Sequence, residues 1–215
     1  MAESTAGTES ARRARTRERL MDAAFAVFAE TGVAGASVEQ VAERAGFTRG
    51  AFYSNFSSKE ELFLALMERG NAAWLSRLQA RVEEVLPDAG APTVIDETVI
   101  GDLVTAVLTA PFDIKHWGLV QTEFRLLALR EPQLAHAFAA HHARFEESLE
   151  PILVEGVRRS GRRLRLGPTT MARLLMAYYK EAVENALLGS SDMPTALDAA
   201  HRAMADVIDA LTEPV

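Results

Sequence analysis

The stretch FTRGAFYSNFSSKEEL, residues 47–62, contains the side chains of this sequence whose types and spacing best fit a chemical role. It combines aromatic rings with single positive charges, a glycine and a run of small hydroxyl side chains. Three interpretations are open at this point. The stretch is the buried corner of a helical core, a catalytic loop with several nucleophiles, or a surface that contacts an anionic partner.

The catalytic interpretation depends on Ser57 and Ser58, which stand near Lys59 as a nucleophile stands near a base. Each serine is followed at the third position by a glutamate, and this is the pattern of a helix N-terminal cap. No strand-to-helix turn is predicted that would expose a strained nucleophile. Carboxylates adjacent in sequence, such as those at 60 and 61, point in different directions on a helix. We therefore predict that the protein is not an enzyme.

Metal and cofactor sites find no support in the sequence. The chain has no cysteine, which excludes disulfides, thiolate metal ligands and cysteine nucleophiles. The histidines at positions 136, 141 and 142 lack the i, i+4 spacing that places two ligands on one helical face. We predict neither a metal nor a cofactor.

The composition indicates a globular protein of one or two domains. The chain has 215 residues, of which 48% are hydrophobic, enough to form a sizeable core. No run of about 18 apolar residues suggests a membrane span. The first residues, MAESTAGTES, lack the charged and apolar segments of a signal peptide. We expect a cytoplasmic protein that does not enter a membrane.

The net charge of −7 conceals a basic N-terminal region. Residues 10–59 carry eight lysines or arginines against five acidic residues, whereas residues 60–215 carry fifteen against twenty-three. Five arginines lie within eight residues: Arg12, Arg13, Arg15, Arg17 and Arg19. A solvated helix end and the basic surface of a nucleic-acid-binding domain are both consistent with this cluster.

Apolar residues at helical spacing predict four helices in the first 86 residues. The first ends at Gly32, and the second is short, beginning with a capping box of Ser37 and Gln40. Gly46 suits the left-handed position after that helix. Thr48 caps a third short helix that runs to about Asn55. The fourth helix is long and reaches the break at PDAGAP.

Two short helices joined by a glycine turn form a helix-turn-helix, whose second helix enters the DNA major groove. Phe52 and Phe56 are four residues apart and are expected to anchor that helix to the core. The remaining face is small and polar, so it fits close approach to base edges. Gly50 costs about 1 kcal/mol of helix propensity relative to alanine. A close approach to another surface would explain it. The outward set is Thr48, Arg49, Ala51, Ser54 and Asn55.

The stretch GASVEQVAERAGFTRGAFYSNFSSKEEL resembles the DNA-binding domain of the TetR (tetracycline repressor) family of bacterial transcriptional regulators. The matching residues are Ser37, Ala45, Gly46, Thr48, Gly50, Tyr53, Phe56 and Lys59. The resemblance is strong over about residues 12–65. Beyond them it extends to the helical architecture alone.

The resemblance implies a set of DNA contacts. Tyr53 and Lys59 are similar to phosphate-binding residues of the family, and Ser37 and Thr48 add phosphate contact to their capping role. Arg49 is the first candidate for reading a guanine, with a phosphate contact as the alternative. The arginine cluster is then an arm along the phosphates or in the minor groove. The full predicted set is Ser37, Thr48, Arg49, Gly50, Ala51, Tyr53, Ser54, Asn55 and Lys59. Because Ser54 and Asn55 differ from residues common in the family, the operator sequence is not predicted.

The acidic remainder is predicted to be helical and to contain no sheet. We expect helices at 97–110, 115–130, 132–159, 168–189 and 194–212, with Pro151 kinking or splitting the third of these. The last two helices carry apolar stripes, and the resemblance implies that they pair with their copies in a homodimer. The stripes are Leu174, Leu175, Tyr178, Ala182 and Leu188, and Leu197, Ala200, Met204, Ile208 and Leu211.

A ligand cavity between these helices is the remaining expectation. Large apolar side chains and a few polar ones on helices 97–189 are the candidates, although most aromatic residues at helical spacing form core. The predicted contacts are Trp117, Gln121, Phe124, Phe138, His141 and Met176. Phe112 and Phe145 are further apolar candidates, and the polar alternatives are His116, Glu123 and Arg125. The chemistry of the small-molecule effector is not predicted.

We therefore predict an all-α fold with an N-terminal three-helix helix-turn-helix DNA-binding domain and a C-terminal helical ligand-binding and dimerisation domain. The predicted parts are a disordered tail at 1–11, the DNA-binding domain at 12–58 and the second domain at 59–215. The predicted function is a ligand-responsive transcriptional regulator, a repressor rather than an activator. It would bind a palindromic operator in double-stranded DNA as a homodimer. The alternative is an architectural or constitutive DNA-binding protein without ligand sensing.

Overall fold

The computed structural model describes residues 2–86, 114–189 and 204–215 of the chain. The described residues are mostly helical, which confirms the all-α prediction. The predicted helix at 97–110 lies outside the described residues. The helices are α1 (Ala2–Thr31), α2 (Val38–Arg44), α3 (Arg49–Tyr53), α4 (Lys59–Val85), α5 (Ile114–Arg130), α6 (Pro132–Arg159), α7 (Pro168–Gly189) and α8 (204–211).

The chain forms two compact units. The first contains Met1–Gly70 and Leu119–His141, and the second contains Asn71–Gly118 and His142–Val215. This division does not coincide with the predicted boundary after residue 58, because the start of α4 and parts of α5 and α6 belong to the first unit. Helix α1 also includes residues of the predicted tail. The predicted functional domains, 12–58 and 59–215, stay predictions.

The first unit has an aromatic core. Phe28, Phe52, Phe56 and Phe63 are fully buried in it, together with leucines of α1 and α4. Phe63 stacks on Phe124 of α5, with ring centroids 3.7 Å apart and planes at 7°. Burial of each such ring stabilises the fold by about 1.5 to 3 kcal/mol, so these rings hold the short helices of this unit in place.

The second unit is built around α4, α6, α7 and α8. One cluster joins Leu78, Val82, Leu86 and Leu149, and another joins Met171, Leu175 and Met204. Leu175 and Met204, which belong to the predicted dimer stripes, therefore pack in the core of their own unit. Leu174 and Leu188 of the same stripes are exposed. Leu197 and Ala200 lie outside the described residues.

The prediction that the chain contains no sheet is wrong in one detail. Two strands, β1 (Arg162–Leu164) and β2 (Thr212–Pro214), pair in antiparallel register. Each has three residues, too few to show the alternation that identifies a strand in a sequence. Backbone hydrogen bonds from Val215 N to Gly161 O and from Arg165 N to Leu211 O extend the pairing. The pairing holds the end of the chain against the loop that follows α6.

Helix α6 continues through Pro151, so the predicted split at this residue is wrong. Pro151 is exposed, and the carbonyl that loses its donor there lies on the solvent side of the helix. Within the described ranges, none of the helices is long and apolar enough to span a membrane.

Candidate nucleic-acid interface and apolar cavity

The turn between α2 and α3 is defined by three local interactions that the sequence predicts. The Ser37 side chain accepts a hydrogen bond from Gln40 N, and Ser37 N donates to the Gln40 side chain, so the capping box is formed. Gly46 has a φ of 71°, in the left-handed region that glycine adopts without strain. Thr48 caps α3 by accepting from Ala51 N at 3.2 Å. These contacts confirm a helix-turn-helix.

Helix α3 has only five residues and depends on side-chain packing for its stability. Phe52 and Phe56 are each 1% exposed, and their ring centroids lie 6.0 Å apart. The guanidinium of Arg17 from α1 lies 4.0 Å from the centroid of the Phe56 ring. This cation–π contact and the two buried rings anchor α3 on α1, as predicted for both phenylalanines.

The opposite face of α3 is open to solvent. Thr48, Arg49, Gly50 and Ser54 are exposed, and Tyr53 is 46% exposed. A Cβ atom at Gly50 would meet nothing closer than the Thr48 hydroxyl at 3.8 Å, so packing within the chain does not require glycine there. Arg49 pairs with Glu39 at 2.9 Å, and its guanidinium lies 5.5 Å from the Tyr53 ring. These residues form a small polar surface that carries one long cationic side chain, that of Arg49.

Asn55 does not belong to that surface, and its predicted outward orientation is wrong. The residue is 8% exposed, and Nδ2 donates to Ala51 O at 2.8 Å and to the Ser54 hydroxyl at 3.2 Å. Asn55 follows the end of α3, where the chain turns back toward α4 and the helical face no longer continues. The contact between Asn55 and DNA stays a prediction, and the burial of the side chain argues against it.

Three members of the arginine cluster hold the helix-turn-helix against α1. Arg13 donates to Ser54 O at 3.4 Å, Arg17 donates to Asn55 O, and Arg19 donates to Ala45 O at 2.8 Å. Arg19 also lies 4.6 Å from the centroid of the Phe47 ring. The cluster therefore caps carbonyl groups after α2 and α3, a structural role that the charge pattern did not reveal. Its predicted role as a DNA arm stays a prediction.

Lys59, at the start of α4, lies against the loop between α1 and α2. Its ammonium donates to Val33 O at 2.7 Å and to Ala36 O at 3.0 Å. The first turn of α4 is capped by Ser58, whose hydroxyl accepts from Glu61 N at 3.1 Å, while the Ser57 N–H and hydroxyl donate to the Glu61 carboxylate at 2.7 and 2.5 Å. The hydrogen bonds from Ser57 lower the pKa of Glu61. The start of α4 is thus fixed to the helix-turn-helix by a charged donor.

We expect Lys59→Ala to lower the free energy of unfolding by about 1 to 3 kcal/mol, because a charged donor to two carbonyls is lost. Urea denaturation of the full chain measures this change. Lys180→Ala is the matched control, since Lys180 and Glu184 form a partly exposed ion pair at 3.3 Å and such pairs contribute about 0 to 1 kcal/mol. A phosphate contact by Lys59 is tested separately. If it exists, the plot of log DNA affinity against log salt concentration is less steep by about 0.9 for Lys59→Ala than for the parent. Unchanged stability would contradict the structural role.

Glu123 of α5 contacts the same loop from another direction. Its carboxylate accepts a hydrogen bond from Val33 N at 2.6 Å. Gly32 has a φ of 76°, and a Cβ there would stand 2.8 Å from Glu123 Oε2. The loop between α1 and α2 is therefore held by an acceptor from α5 and a donor from α4. This explains why glycine is required at position 32.

The residues predicted to bind a ligand are divided between the two units. Trp117 and Met176 belong to the second unit, whereas Gln121, Phe124, Phe138 and His141 belong to the first. Phe124 is buried between Phe63 and Phe138, with ring centroids 3.7 and 5.7 Å away. Phe124 and Phe138 therefore pack in the core of the first unit. The ligand contacts of this set stay predictions.

The second unit contains a cavity of about 150 Å³. Its wall comes from α4, α6, α7, α8 and the loop after α6, and the apolar part includes Trp74, Leu78, Leu149, Met171, Leu175 and Met204. Met176 is the member of the predicted ligand set that lines it. One end is polar, with Ser160, Arg162, Asp209 and Thr212. Tyr179 also lines the cavity, and burial raises the pKa of its hydroxyl to about 12.

The sequence model of the bacterial regulatory proteins of the tetR family matches residues 20–66. This range covers α2, α3 and the caps described above, together with the second part of α1 and the start of α4. The match confirms the resemblance to the TetR family over the helix-turn-helix region.

Individual relatives match the chain over different lengths. The chain is 46% identical over 52 residues to the transcriptional regulator SrpR of Pseudomonas putida, which is 24% of each chain. It is 26% identical over 168 residues, 78% of each chain, to the uncharacterised regulator YfiR of Bacillus subtilis. The match to SrpR thus covers well under two thirds of that protein, whereas the match to YfiR covers more than two thirds at lower identity.

A solved structure shares the fold over most of the chain. The transcriptional regulator FadR of Bacillus subtilis, solved in complex with stearoyl-CoA, superposes with a TM-score of 0.64 at 19% identity. The superposition covers 87% of this chain and 96% of FadR. At this identity the likeness shows the fold alone.

Several residues of the interface and the cavity are not predicted from the sequence. Glu123 is predicted only as an alternative ligand contact, but it holds the loop beside α2. Tyr179 and Gly156 line the cavity and are absent from the predicted ligand contacts. In a sequence, such residues stand out only as polar or small residues on the apolar face of a helix. This pattern does not identify a cavity unless the neighbouring helices are known.

Proposed function

We propose that the protein is a transcriptional repressor that binds a palindromic operator as a homodimer and is released by a small-molecule effector in the cytoplasm. The observation that carries this proposal is the exposed polar face of α3, anchored from behind by Phe52 and Phe56. A helix presented in this way enters the DNA major groove in helix-turn-helix proteins. The proposal includes no catalytic step.

The phosphate contacts are assigned to side chains and helix ends around α3. The hydroxyl of Tyr53 is the first, because the ring is half exposed beside the recognition face. Thr48 and Ser37 stand at the N-termini of α3 and α2, where backbone N–H groups attract phosphate. Their hydroxyls already cap those helices, so the phosphate contact is added to a structural role.

Base reading is assigned to Arg49 and Ser54, with Ala51 and Gly50 allowing close approach. Arg49 is exposed and reaches Glu39 across the turn. An exposed ion pair of this kind contributes about 0 to 1 kcal/mol. The Arg49 guanidinium therefore loses little free energy when it leaves Glu39 and forms a bidentate contact with guanine O6 and N7.

The homodimer is supported by the exposed leucines of α7. Leu174 is 43% exposed and Leu188 is 86% exposed, although both lie on a stripe of apolar residues. One helix-turn-helix contacts few bases, whereas two related by a twofold axis meet successive major grooves about 34 Å apart, or multiples of that distance. The alternative of an architectural DNA-binding protein would leave the cavity without a role.

The effector response is assigned to the cavity and to α4. Trp74, Leu78 and Val82 of α4 line the cavity, and the same helix begins at Lys59 beside the helix-turn-helix. A ligand that prefers one position of α4 changes the separation of the two recognition helices and so lowers operator affinity. FadR of Bacillus subtilis, which shares the fold, was solved in complex with stearoyl-CoA, and this supports a ligand-binding role for the second unit.

Selection of genomic DNA fragments by the full-length protein, followed by footprinting, tests the DNA-binding part of this proposal. We expect two protected half-sites related by a twofold axis, with centres one or more helical turns apart. Analytical ultracentrifugation of the same sample is expected to show a dimer. A monomer in solution and on DNA would contradict the homodimer, and protection without sequence preference would favour the architectural alternative.

A further inference from the structure

The charged side chains at the polar end of the second unit's cavity are paired with each other. Arg162 is the cation at its polar end, and its Nη2 donates to Asp209 Oδ1 at 2.6 Å. Its Nε donates to the Thr212 hydroxyl at 2.7 Å. Arg162 and Asp209 therefore neutralise each other, and neither offers an unpaired charge to a ligand.

The hydroxyl groups at the same end are occupied in the same way. Thr212 is fully buried and donates to Ile208 O at 2.8 Å while it accepts from Arg162. Ser160 donates to Val157 O at 2.5 Å. A carboxylate or an ammonium group entering the apolar part of the cavity would lose its hydration, and such desolvation is costly without a new partner.

Tyr179 differs from these groups. Its side chain lines the cavity, and none of the hydrogen bonds found among the described residues involves its hydroxyl. The hydroxyl remains protonated over the physiological range, because burial raises its pKa to about 12. It can therefore donate one hydrogen bond to, or accept one from, a neutral group on a ligand.

The volume limits the size of the ligand. An engineered apolar cavity of about 150 Å³ in another protein binds benzene. The cavity described here has about the same volume and a wall of leucine, methionine and tryptophan side chains. One aromatic ring or a hydrocarbon of similar size fits this space.

We propose that the cavity binds an uncharged, mainly apolar molecule of about one aromatic ring, with at most one hydroxyl group bonded to Tyr179. This inference rests on the proposed effector role of the cavity and adds the chemical class of the effector. The ligand class follows from the paired charges at the polar end, the unoccupied hydroxyl of Tyr179 and the volume.

Calorimetric titration of the full-length protein with four probes of one ring tests the class. Toluene and benzyl alcohol are neutral, whereas benzoate and benzylamine are charged at neutral pH. We expect the neutral probes to bind at one site per chain and the charged ones at least about tenfold more weakly. Tyr179→Phe is expected to weaken benzyl alcohol about threefold to tenfold and to leave toluene unchanged.

Substitutions at Gly156 test the location. A Cβ at Gly156 would meet the Val82 methyl groups at 3.7 and 3.8 Å, an ordinary contact, so Gly156→Ala leaves the cavity open. Gly156→Phe places a ring into the space that Gly156 lines and is expected to weaken toluene at least about tenfold. Urea denaturation shows whether each variant is folded, and Tyr179→Phe provides the test if Gly156→Phe is not.

The inference is overturned if benzoate or benzylamine binds as tightly as benzyl alcohol, if none of the four probes binds, or if folded Gly156→Phe binds toluene like the parent. The proposed function fails in a different way. If a neutral probe binds in the cavity and operator affinity does not change, the proposed ligand class is supported. The same result contradicts the proposal that binding in this cavity regulates DNA binding.

Discussion

Phe52→Ala is expected to lower the free energy of unfolding by about 3 to 5 kcal/mol and to abolish operator binding. Phe52 is 1% exposed and packs against Phe56 and Tyr53, with ring centroids 6.0 and 5.4 Å away. Truncation of a fully buried phenylalanine removes its burial energy and leaves a cavity. Because α3 has only five residues, it has no other large buried side chain of its own. Urea denaturation and gel shift measure the two effects.

Tyr53→Phe is the matched control for this prediction. It changes the neighbouring position of the same helix, keeps the ring and removes only a partly exposed hydroxyl. Its stability is expected to stay within about 0.5 kcal/mol of the parent. Its operator affinity should fall for every DNA sequence alike, since a phosphate contact carries no sequence information. Normal operator binding by Phe52→Ala would show that α3 is not the recognition helix.

Arg49→Ala is expected to reduce discrimination at one base pair in each half-site by about 1 to 3 kcal/mol. Arg49 is exposed at the start of α3, its partner is the exposed Glu39, and no buried contact depends on it. The fold should therefore be unchanged. Binding assays on operators with every base substituted in turn measure the loss at each position.

Arg44→Ala provides the charge-matched comparison for Arg49. Arg44 is also exposed and also pairs with a glutamate, Glu30 at 2.5 Å, and their hydrogen bonds lower the pKa of Glu30. Removing it deletes the same charge without touching the face of α3. We expect equal specificity to the parent at every position. If Arg49→Ala weakens all operators equally, Arg49 binds phosphate rather than a base.

The helix-turn-helix could be predicted in detail because its signals are local. A capping box, a left-handed glycine and a threonine cap act over three or four residues, and Ser37, Gly46 and Thr48 act as predicted. The same holds for the buried faces of Phe52 and Phe56. Local rules of this kind are readable in a sequence because they do not depend on distant partners.

Asn55 and Lys59 have side-chain contacts that a local sequence motif does not predict. Both were assigned to DNA from their place in a motif, yet Asn55 is buried and the Lys59 ammonium bonds to carbonyls 23 and 26 residues away in the chain. A motif places a residue near a surface. The orientation of its side chain is decided by distant segments that compete for the same donor.

The cavity was the least predictable part for the same reason. Aromatic residues were the natural candidates, but Phe124 stacks on Phe63 in the first unit. The wall is made instead by aliphatic residues of α4, α6, α7 and α8. The polar end depends on Arg162 and Asp209, which are 47 residues apart. Only the tertiary structure brings such residues together.

The central claim is that the exposed face of α3 reads DNA sequence. Competition between a selected operator and a shuffled duplex of the same composition, measured by fluorescence anisotropy at one fixed salt concentration, tests it most directly. The account predicts that the full-length protein prefers the operator by about 10³-fold or more. It also predicts that an Arg49→Ala, Ser54→Ala double variant, still folded, loses most of that preference. Equal affinity of the parent for both duplexes, or an unchanged preference in the double variant, would contradict it.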